Sequence, residues 1–558
     1  MAITFLFCTF LSRFGYVQLI WRKELLPRAA EQWTRELPVV AERGLIYDRN
    51  GELLAGNRTA YSIYARASAV KDPDNTARVL SALLNLPEEQ LYEKLTDRSK
   101  SEITVLKQAE KTSAEKIEGS NLQGVYYARD NVRVYPYGDL ASQVLGFTSS
   151  DGQGTTGIES YYHDYLAGTN GEVLYDTDLV GAEVGGVSYS PSVGGLNVTL
   201  TLDVRIQMLA EEIMAQALAE HGAKAARCIV LDPNDFSVLA MVNRPSYDLN
   251  EVPRDDIQLL NTLSRNALVS DVYEPGSTFK IITAAADIEE NLRGNPKAFS
   301  ASHIFSSSRT RVVEGSTVRC WSDHSNGKHS NQTLAMALNN SCNPCFVDIA
   351  LSLGKETFYD YLTAFGFGKA TGIDFSGESV GMLLPESTVR AGDLARIGFG
   401  QTIAVTPLQL ACGAAAAVNG GYYYTPHLVR EISSSDGRVE YHATKQLSGR
   451  TVSEEASKIL SSMLEGVVRD GSGKHAYIEG YRVAGKTGTA QKYENGQIAS
   501  GKYVSSFVGY FPADNPRYLA LVIVDEPQGS YYGSTVAAPL AGKIFQGIID
   551  IMKIERFE

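Results

Sequence analysis

A serine hydroxyl placed three residues ahead of a lysine can act as a nucleophile, and the segment Tyr273-Glu274-Pro275-Gly276-Ser277-Thr278-Phe279-Lys280 carries such a pair. Serine attacks a carbonyl only when a base takes its proton. Residues i and i+3 share a helix face, so Lys280 reaches the Ser277 hydroxyl if a helix begins there. The breakers Pro275 and Gly276, followed by apolar Ile281, Ile282, Ala284, Ala285 and Ala286, predict a helix starting at Ser277. A lysine serves as a base only when neutral, which needs burial or a neighbouring cation. The helix N-terminus would add N–H groups and positive potential for a developing oxyanion. The same S-x-x-K spacing recurs at Ser113/Lys116 and Ser325/Lys328. Context sets Ser277 apart, because Ser113 lies in a charged stretch and Ser325 in a polar loop.

Two further constellations could complete a site. Ser341-Cys342-Asn343 follows the apolar run Leu334 to Leu338. A serine there could relay a proton, and the Asn343 amide could hold a substrate peptide group. Ser264-Arg265-Asn266 has the same S-x-N spacing, so the motif alone decides nothing. The third is Lys486-Thr487-Gly488-Thr489. Gly488 would let a substrate backbone approach a strand closely, Lys486 supplies a cation, and the Thr487 and Thr489 hydroxyls can bind a carboxylate. An exposed strand with a glycine bulge would read the same. The order S-x-x-K, S-x-N, K-T-G, with gaps of 64 and 145 residues, is far more specific than any one motif.

The elements that must position these residues are partly legible. A chain of 558 residues is too long for one core and predicts several domains. From Lys23 to about Gly195 the sequence is an irregular mixture of strand-like and helical pieces, with Gly-rich turns at Ser149 to Gly157 and Gly181 to Gly195. Val187 to Gly195 reads as a linker or hairpin turn. Beyond Leu196 the pattern changes: a strand at Asn197 to Leu202, a helix at Val204 to His221, two strands within Ala226 to Val242, long helices after Ser277, strands at Tyr503 to Tyr510 and Tyr518 to Val524, and a helix at Ala537 to Met552. That order predicts an α+β chain whose second part is an antiparallel sheet sandwiched by helices.

Composition narrows the partners. Net charge is -13, which argues against nucleic acid, since phosphate binding needs basic patches. Six cysteines in this length make no disulfide framework. Cys342 and Cys345 form a C-x-x-C with no second pair of zinc spacing, and the eight histidines include no H-E-x-x-H. No metal and no cofactor are expected. Met1 to Trp21 is mostly apolar, but the uncharged run before Arg13 is only 12 residues, short of the ~20 that span a bilayer. No small-residue cleavage site follows it, which argues against a cleaved signal; with Arg22, Lys23 and Glu24 behind it, the segment reads as a membrane anchor with a clipped start, a soluble amphipathic helix being the alternative.

The trio resembles that of the serine β-lactamases and penicillin-binding proteins, with Cys342 in the middle place of the S-x-N motif. The resemblance extends along the chain to class B penicillin-binding proteins of the septal or spore-wall type. Arg43-Gly44-Leu45-Ile46-Tyr47-Asp48-Arg49-Asn50-Gly51 with Leu54-Ala55 carries it, as do Arg133-Val134-Tyr135-Pro136, Val144-Leu145-Gly146 and Gly157-Ile158-Glu159. So do Asp232-Pro233, Arg244-Pro245-Ser246, Gly398-Phe399-Gly400-Gln401 and Phe507-Val508-Gly509-Tyr510.

Such a resemblance implies three parts: an anchor at 1–22, a pedestal or dimerisation domain at 23–195 and a β-lactamase-like transpeptidase domain at 196–558. It implies a cell-membrane protein with an extracytoplasmic catalytic domain. It also implies cross-linking of peptidoglycan stem peptides ending in D-Ala-D-Ala, acylation by β-lactams, and a membrane glycosyltransferase as partner. In that scheme Ser277 is the nucleophile, Lys280 the general base, and Ser341 and Lys486 the proton relay. Asn343, Thr487, Gly488 and Thr489 bind substrate, the Ser277 and Thr489 N–H groups form the oxyanion hole, and Lys486 is the cation best placed to lower the Lys280 pKa. A D,D-carboxypeptidase or β-lactamase uses the same trio, and a non-catalytic scaffold would be the other alternative. Outside the membrane thiols can oxidise, so a Cys320–Cys342 disulfide could distort the S-x-N motif; unpaired buried thiols are the simpler expectation.

Overall fold

The run Leu519 to Val524 shows how the central sheet is built. Leu519, Leu521 and Ile523 join the larger hydrophobic core, while Ala520, Val522 and Val524 join a second core on the opposite side. Period-two alternation with both faces apolar belongs to a strand covered on both sides. In the computed structural model, which describes residues 2–23, 34–100, 102–177, 183–325, 327, 329–494 and 497–556, five antiparallel strands form this sheet: β1 (Ala225–Leu231), β2 (Val238–Arg244), β3 (Ala484–Glu494), β4 (Gln497–Phe511) and β5 (Tyr518–Asp525). Their order is β2-β1-β5-β4-β3, so β3, which carries the K-T-G motif, is an edge strand. Glu24, Gly181 and Lys328 of the sequence reading lie outside the described residues.

Helices cover both faces. On one side lie α1 (Val204–Glu220) and, at the end of the chain, a helix at Ala537–Met552; Ile206, Met214, Phe545 and Ile548 fill the smaller core. On the other side pack α2 (Lys280–Leu292), α3 (Leu334–Asn339), α4 (Asn343–Leu353), α5 (Pro407–Val418) and α6 (Glu454–Arg469), which supply Ile281, Ala285, Phe346, Leu408 and Leu460 to the larger core. Local signals set their starts. Asp203 caps α1 through the Arg205 N–H, Ser453 caps α6 through the Ala456 N–H, and Thr406 with Gln409 makes a capping box ahead of Pro407. The predicted sandwich is therefore present, with each expected strand and helix of the second part within a few residues of its predicted place.

The first part is built on a long strand, Leu53–Ala65, that pairs with Ile103–Ala109 and Val125–Val134. A separate three-stranded sheet joins Thr34–Val39, Gly171–Thr177 and Glu183–Ser190. This corrects the linker reading of Val187 to Gly195. Val187 to Ser190 are laddered onto Gly171–Thr177; the ladder is interrupted at Pro191, which has no N–H to donate, and Val193 then bridges Thr169. The two parts also share a sheet. Asn197–Leu200 runs parallel to Ile46–Tyr47 and antiparallel to Val429–Ser433, so hydrogen bonds cross the sequence boundary near residue 195. At the N-terminus, Ala2–Leu19 is a single helix containing Arg13. No helix among the described residues is long and apolar enough to cross a membrane.

The motifs of the first part meet in one buried cluster. The Arg43 and Arg133 Nε groups each donate to Glu159 at 2.6 Å, and Arg43 also donates to the Glu159 carbonyl at 2.7 Å. Glu159 is fully buried, and Tyr135 donates its hydroxyl to the same carboxylate at 3.3 Å. Two guanidinium groups thus depend on one carboxylate, and removing it strands both charges. Glu159→Ala is expected to destabilise the chain by about 3–5 kcal/mol, read as a shifted urea or thermal unfolding midpoint. An unchanged midpoint would show that the triad is not holding the pedestal together.

Candidate active site

The Ser277 segment folds as a turn and then a helix. Gly276–Phe279 is one 3-10 turn, and α2 begins at Lys280, three residues later than predicted. The tighter turn follows from its surroundings. The Gly276 N–H donates to the Gly400 carbonyl at 2.9 Å, and Thr278 Oγ1 donates to the Pro275 carbonyl at 2.7 Å. Gly400 has φ 84°, and a Cβ there would lie 2.0 Å from the Gly276 carbonyl oxygen. The Gly398-Phe399-Gly400-Gln401 motif therefore acts as the seat beneath the turn. Ser277 is left partly exposed, while Thr278, Phe279 and Lys280 at the helix start are buried.

Lys280 is fully buried, and its Nζ sits among three acceptors: the Ser341 carbonyl at 2.8 Å, Asn343 Oδ1 at 2.8 Å and Ser341 Oγ at 3.2 Å. The Phe346 ring lies 5.2 Å away. Burial pushes the Lys280 amine down to about 8, against a smaller opposing pull from Cys320, Cys342 and Cys345. Ser341 occupies the bend between α3 and α4 with φ 53°, a left-handed conformation uncommon for serine, and Asn343 is the first residue of α4. One bend thus presents both partners to the amine.

The K-T-G strand closes the site from the other side. Lys486 is fully buried, and its Nζ donates to the Thr487 carbonyl at 3.3 Å. Its pKa is held well below the ordinary lysine range by burial and then by the positive charge of Lys280. The influence between the two amines was expected on Lys280; the structure makes burial the cause there and puts the neighbour's charge on Lys486. Thr487 Oγ1 donates to Ser472 Oγ at 3.1 Å, and Thr489 Oγ1 accepts the Gly533 N–H at 3.0 Å. Gly488 is pressed against the turn that carries Ser277. A Cβ there would lie 2.5 Å from Ser506 Oγ, 2.9 Å from Thr278 Cγ2 and 3.1 Å from the Pro275 carbonyl oxygen. Gly488→Val is therefore expected to wedge β3 off the turn, costing about 1–3 kcal/mol of overpacking and slowing reaction at Ser277 by roughly 10²-fold or more through misplacement. A stopped-flow acylation rate equal to wild type would show that the close approach of Gly488 does not position Ser277.

The fold thus gathers all eight sequence-predicted residues, Ser277, Lys280, Ser341, Asn343, Lys486, Thr487, Gly488 and Thr489, from three separated stretches. The look-alikes are placed elsewhere. Ser113 and Lys116 ride on the helix Lys111–Ser120, with Lys116 exposed, and Ser325 is exposed; Lys328 lies outside the described residues. Asn266 is spent on structure, accepting from Asn243 Nδ2 at 2.9 Å and from the Leu268 N–H at 3.2 Å.

Two features escaped the sequence reading. Ser472, in the turn Gly471-Ser472-Gly473, meets Thr487, and only its small-residue turn hinted at a close approach. More consequential is a cluster beside the S-x-N bend. Cys320, His324, His329 and Cys342 place their ligand atoms within 4.8 Å of one another. Common zinc motifs pair C-x-x-C units, whereas these donors lie in a C-x3-H-x4-H-x12-C pattern whose last member belongs to the S-x-N motif. The Cys320 and Cys342 sulfurs are 3.9 Å apart and are not bonded to each other.

Comparisons with known proteins bear on these geometries. A family profile described as penicillin binding protein transpeptidase domain matches residues 226–546, and one described as penicillin-binding protein dimerisation domain matches residues 38–200. The chain is 38% identical to stage V sporulation protein D of Bacillus subtilis over 545 residues, covering 96% of this chain and 82% of that protein. It is 29% identical to peptidoglycan D,D-transpeptidase FtsI of Escherichia coli, covering 98% and 90%. Among solved structures, it is similar to a peptidoglycan synthetase from Bifidobacterium adolescentis, with TM-score 0.75 and 26% identity over 94% of this chain and 98% of that one. Penicillin binding protein 3 of Mycobacterium tuberculosis complexed with aztreonam gives TM-score 0.72 at 26% identity, with the same coverage.

Proposed function

The chain belongs to the class B penicillin-binding proteins, and from that membership we propose a residue-by-residue account of its chemistry. It is a peptidoglycan D,D-transpeptidase. Ser277 attacks the carbonyl of the penultimate D-Ala of a stem peptide, and the terminal D-Ala leaves as the amine. Ser277 then holds the acyl group until an amine from a neighbouring stem peptide takes it. Lys280 receives the Ser277 proton as its free base. Ser341 and Lys486 pass a proton to the leaving nitrogen, a role suited to a lysine whose burial disfavours a permanent charge. Asn343 binds the substrate amide, and Thr487 and Thr489 hold the terminal carboxylate on the edge strand, where Gly488 permits close approach. The Ser277 and Thr489 N–H groups stabilise the oxyanion, one such donor being worth roughly 10²–10³ in rate. β-Lactams present their strained amide to the same serine.

The observation that carries this reading is the buried Lys280 amine, one turn from Ser277 and held by both polar members of the S-x-N motif. Residues 23–195 would act as the pedestal, and the exposed Phe5, Phe7, Phe10 and Phe14 of the first helix support membrane attachment through residues 1–22. A membrane glycosyltransferase supplying uncross-linked glycan is the natural partner.

The test is to incubate the chain with penicillin and locate the adduct by peptide mass spectrometry, then to follow D-Ala release from a synthetic stem pentapeptide with and without an acceptor amine. The adduct is expected on the peptide containing Ser277, with acceptor-dependent product. An adduct on another residue would remove Ser277 from the mechanism. Rapid steady-state β-lactam turnover would favour a hydrolase.

A further inference from the structure

The cleft does not end at the K-T-G residues. A Cβ on Gly276 would lie 3.2 Å from the Thr489 carbonyl oxygen and 3.4 Å from Ala490 Cβ, so the turn that carries Ser277 touches β3 just past Thr489. From that contact the two segments part. Tyr273 and Glu274 precede the turn, Gln491 and Lys492 continue β3, and these four residues, with Arg227 and Met382, line a cavity of about 320 Å³. It has room for a long side chain and its terminal group.

The polar lining of the cavity is unbalanced. Three of its residues carry carboxylates: Asp271, Glu274 and Asp525. Asp525 is bound by Lys492 at 2.8 and 3.0 Å, and Asp271 pairs with Arg265 at 2.6 Å. Glu274 differs. Its Oε1 accepts the Thr402 N–H at 2.9 Å, whereas Oε2 is buried without a hydrogen-bond partner, and no cation pairs with it among the described residues. The Tyr273 hydroxyl is a second buried polar atom with no partner. Burial holds the Glu274 carboxyl above its ordinary range, with only the Thr402 N–H opposing the rise. A buried oxygen left unsatisfied requires an explanation. A cation entering through the cavity supplies one, because it would restore the charge and occupy the free lone pairs.

The direction of the substrate identifies that cation, and this step rests on the function proposed above. With the terminal carboxylate at Thr487 and Thr489 and the scissile carbonyl at the Thr489 N–H, the donor peptide runs outward along the edge strand past Ala490. An extended chain advances about 3.3 Å per residue. The residue before the penultimate D-Ala, third in the stem, therefore comes level with Ala490 and Gln491, at the mouth of the cavity. We propose that the cavity receives the side chain of this third residue and that Glu274 binds its terminal ammonium, which makes the enzyme selective for donor stems with a diamino acid at that position. Glu274 is then a specificity-determining residue, three positions ahead of Ser277 and without a part in the proton transfers.

The experiment uses the full chain and two penicillins, 6-aminopenicillanic acid acylated with Nα-acetyl-L-lysine or with Nα-acetyl-L-norleucine. Each carries a mimic of the third residue on the amide that precedes the reactive carbonyl, and they differ only by the ammonium. Acylation rate constants are read by stopped flow and the adduct is located by mass spectrometry. The lysyl compound should acylate wild type faster by about tenfold or more, as expected for a hydrogen bond to a charged group. Glu274→Gln keeps an acceptor for the Thr402 N–H and loses the charge, so the ratio of the two rates should fall to near one. Met382 is 67% exposed, so Met382→Lys is tolerated by the fold; it brings an ammonium of the chain's own to the cavity and should lower the ratio too. Equal rates in wild type overturn the proposal. So does a lysyl preference that survives in folded Glu274→Gln or, should that variant fail to fold, in Met382→Lys. A general structural defect slows both compounds alike and leaves the ratio, so the ratio reads the cavity alone. Absence of any adduct on Ser277 would instead remove the function proposed above and this inference with it, a result distinct from equal rates at Ser277.

Discussion

Ser277→Ala is expected to abolish covalent labelling by a fluorescent penicillin while leaving the fold intact. Ser277 is partly exposed in a 3-10 turn, so its hydroxyl supports no core packing and its loss should shift the unfolding midpoint little. The chemistry has no substitute. Ser341 lies beyond the amine on the S-x-N bend, and an alanine offers no atom to form the ester. The label should disappear from denaturing gels, and D-Ala release from a stem peptide should fall to background. Persistent labelling of a folded Ser277→Ala chain would refute the nucleophile assignment outright.

Lys280→Met carries the second large effect. With the amine at about 8, roughly a tenth of the chains hold it as free base at pH 7. The acylation rate of wild type should therefore climb with pH, nearly tenfold per unit below 8, and level off above it. The sign follows from the role: a base works only unprotonated, and burial brings that form within reach of neutral pH. Methionine keeps the length and apolar stem but cannot take a proton. The rate constant for penicillin acylation should drop by about 10²–10⁴, and the rise toward pH 8 should vanish with it. Stability should fall by about 1–3 kcal/mol, since methionine fills the buried site but leaves the Ser341 carbonyl and Asn343 Oδ1 without their donor. A Lys280→Met chain acylated at the wild-type rate, or one that keeps the pH rise, would assign the base elsewhere.

Much of this site could be read from residues alone because each motif carries its own local constraint. Pro275-Gly276 announces a helix start, Gly488 a close approach, and the apolar run after Ser277 a buried helix. What the linear pattern could not supply was depth. The start of α2 moved to Lys280 because Gly400, over a hundred residues away, seats Gly276 in a tighter turn. The lowering of the Lys280 pKa was expected from Lys486, yet complete burial is the main cause, and burial is a property of the packed whole. The Cys/His cluster was invisible for a related reason. Its spacing matches none of the short ligand motifs, and three donors join the fourth only through a loop folding back onto α4. In the first part, Val187 to Gly195 reads as a turn because three serines, Pro191 and the Gly194-Gly195 pair fill it, whereas a laddered partner makes Val187 to Ser190 a strand.

The strand Asn197–Leu200, hydrogen-bonded to Ile46–Tyr47 on one side and to Val429–Ser433 on the other, makes the chain a lever rather than two beads on a string. A flexible joint would let Ser277 sweep a wide volume. Here a rotation between the parts must first shear backbone hydrogen bonds, so the height of Ser277 above Thr34 is a dimension of the fold, set once when the chain folds. For a transpeptidase, a joint of that kind would tie the position of Ser277 to the length of the first part, so lengthening or shortening residues 34–195 would be expected to move the serine with it.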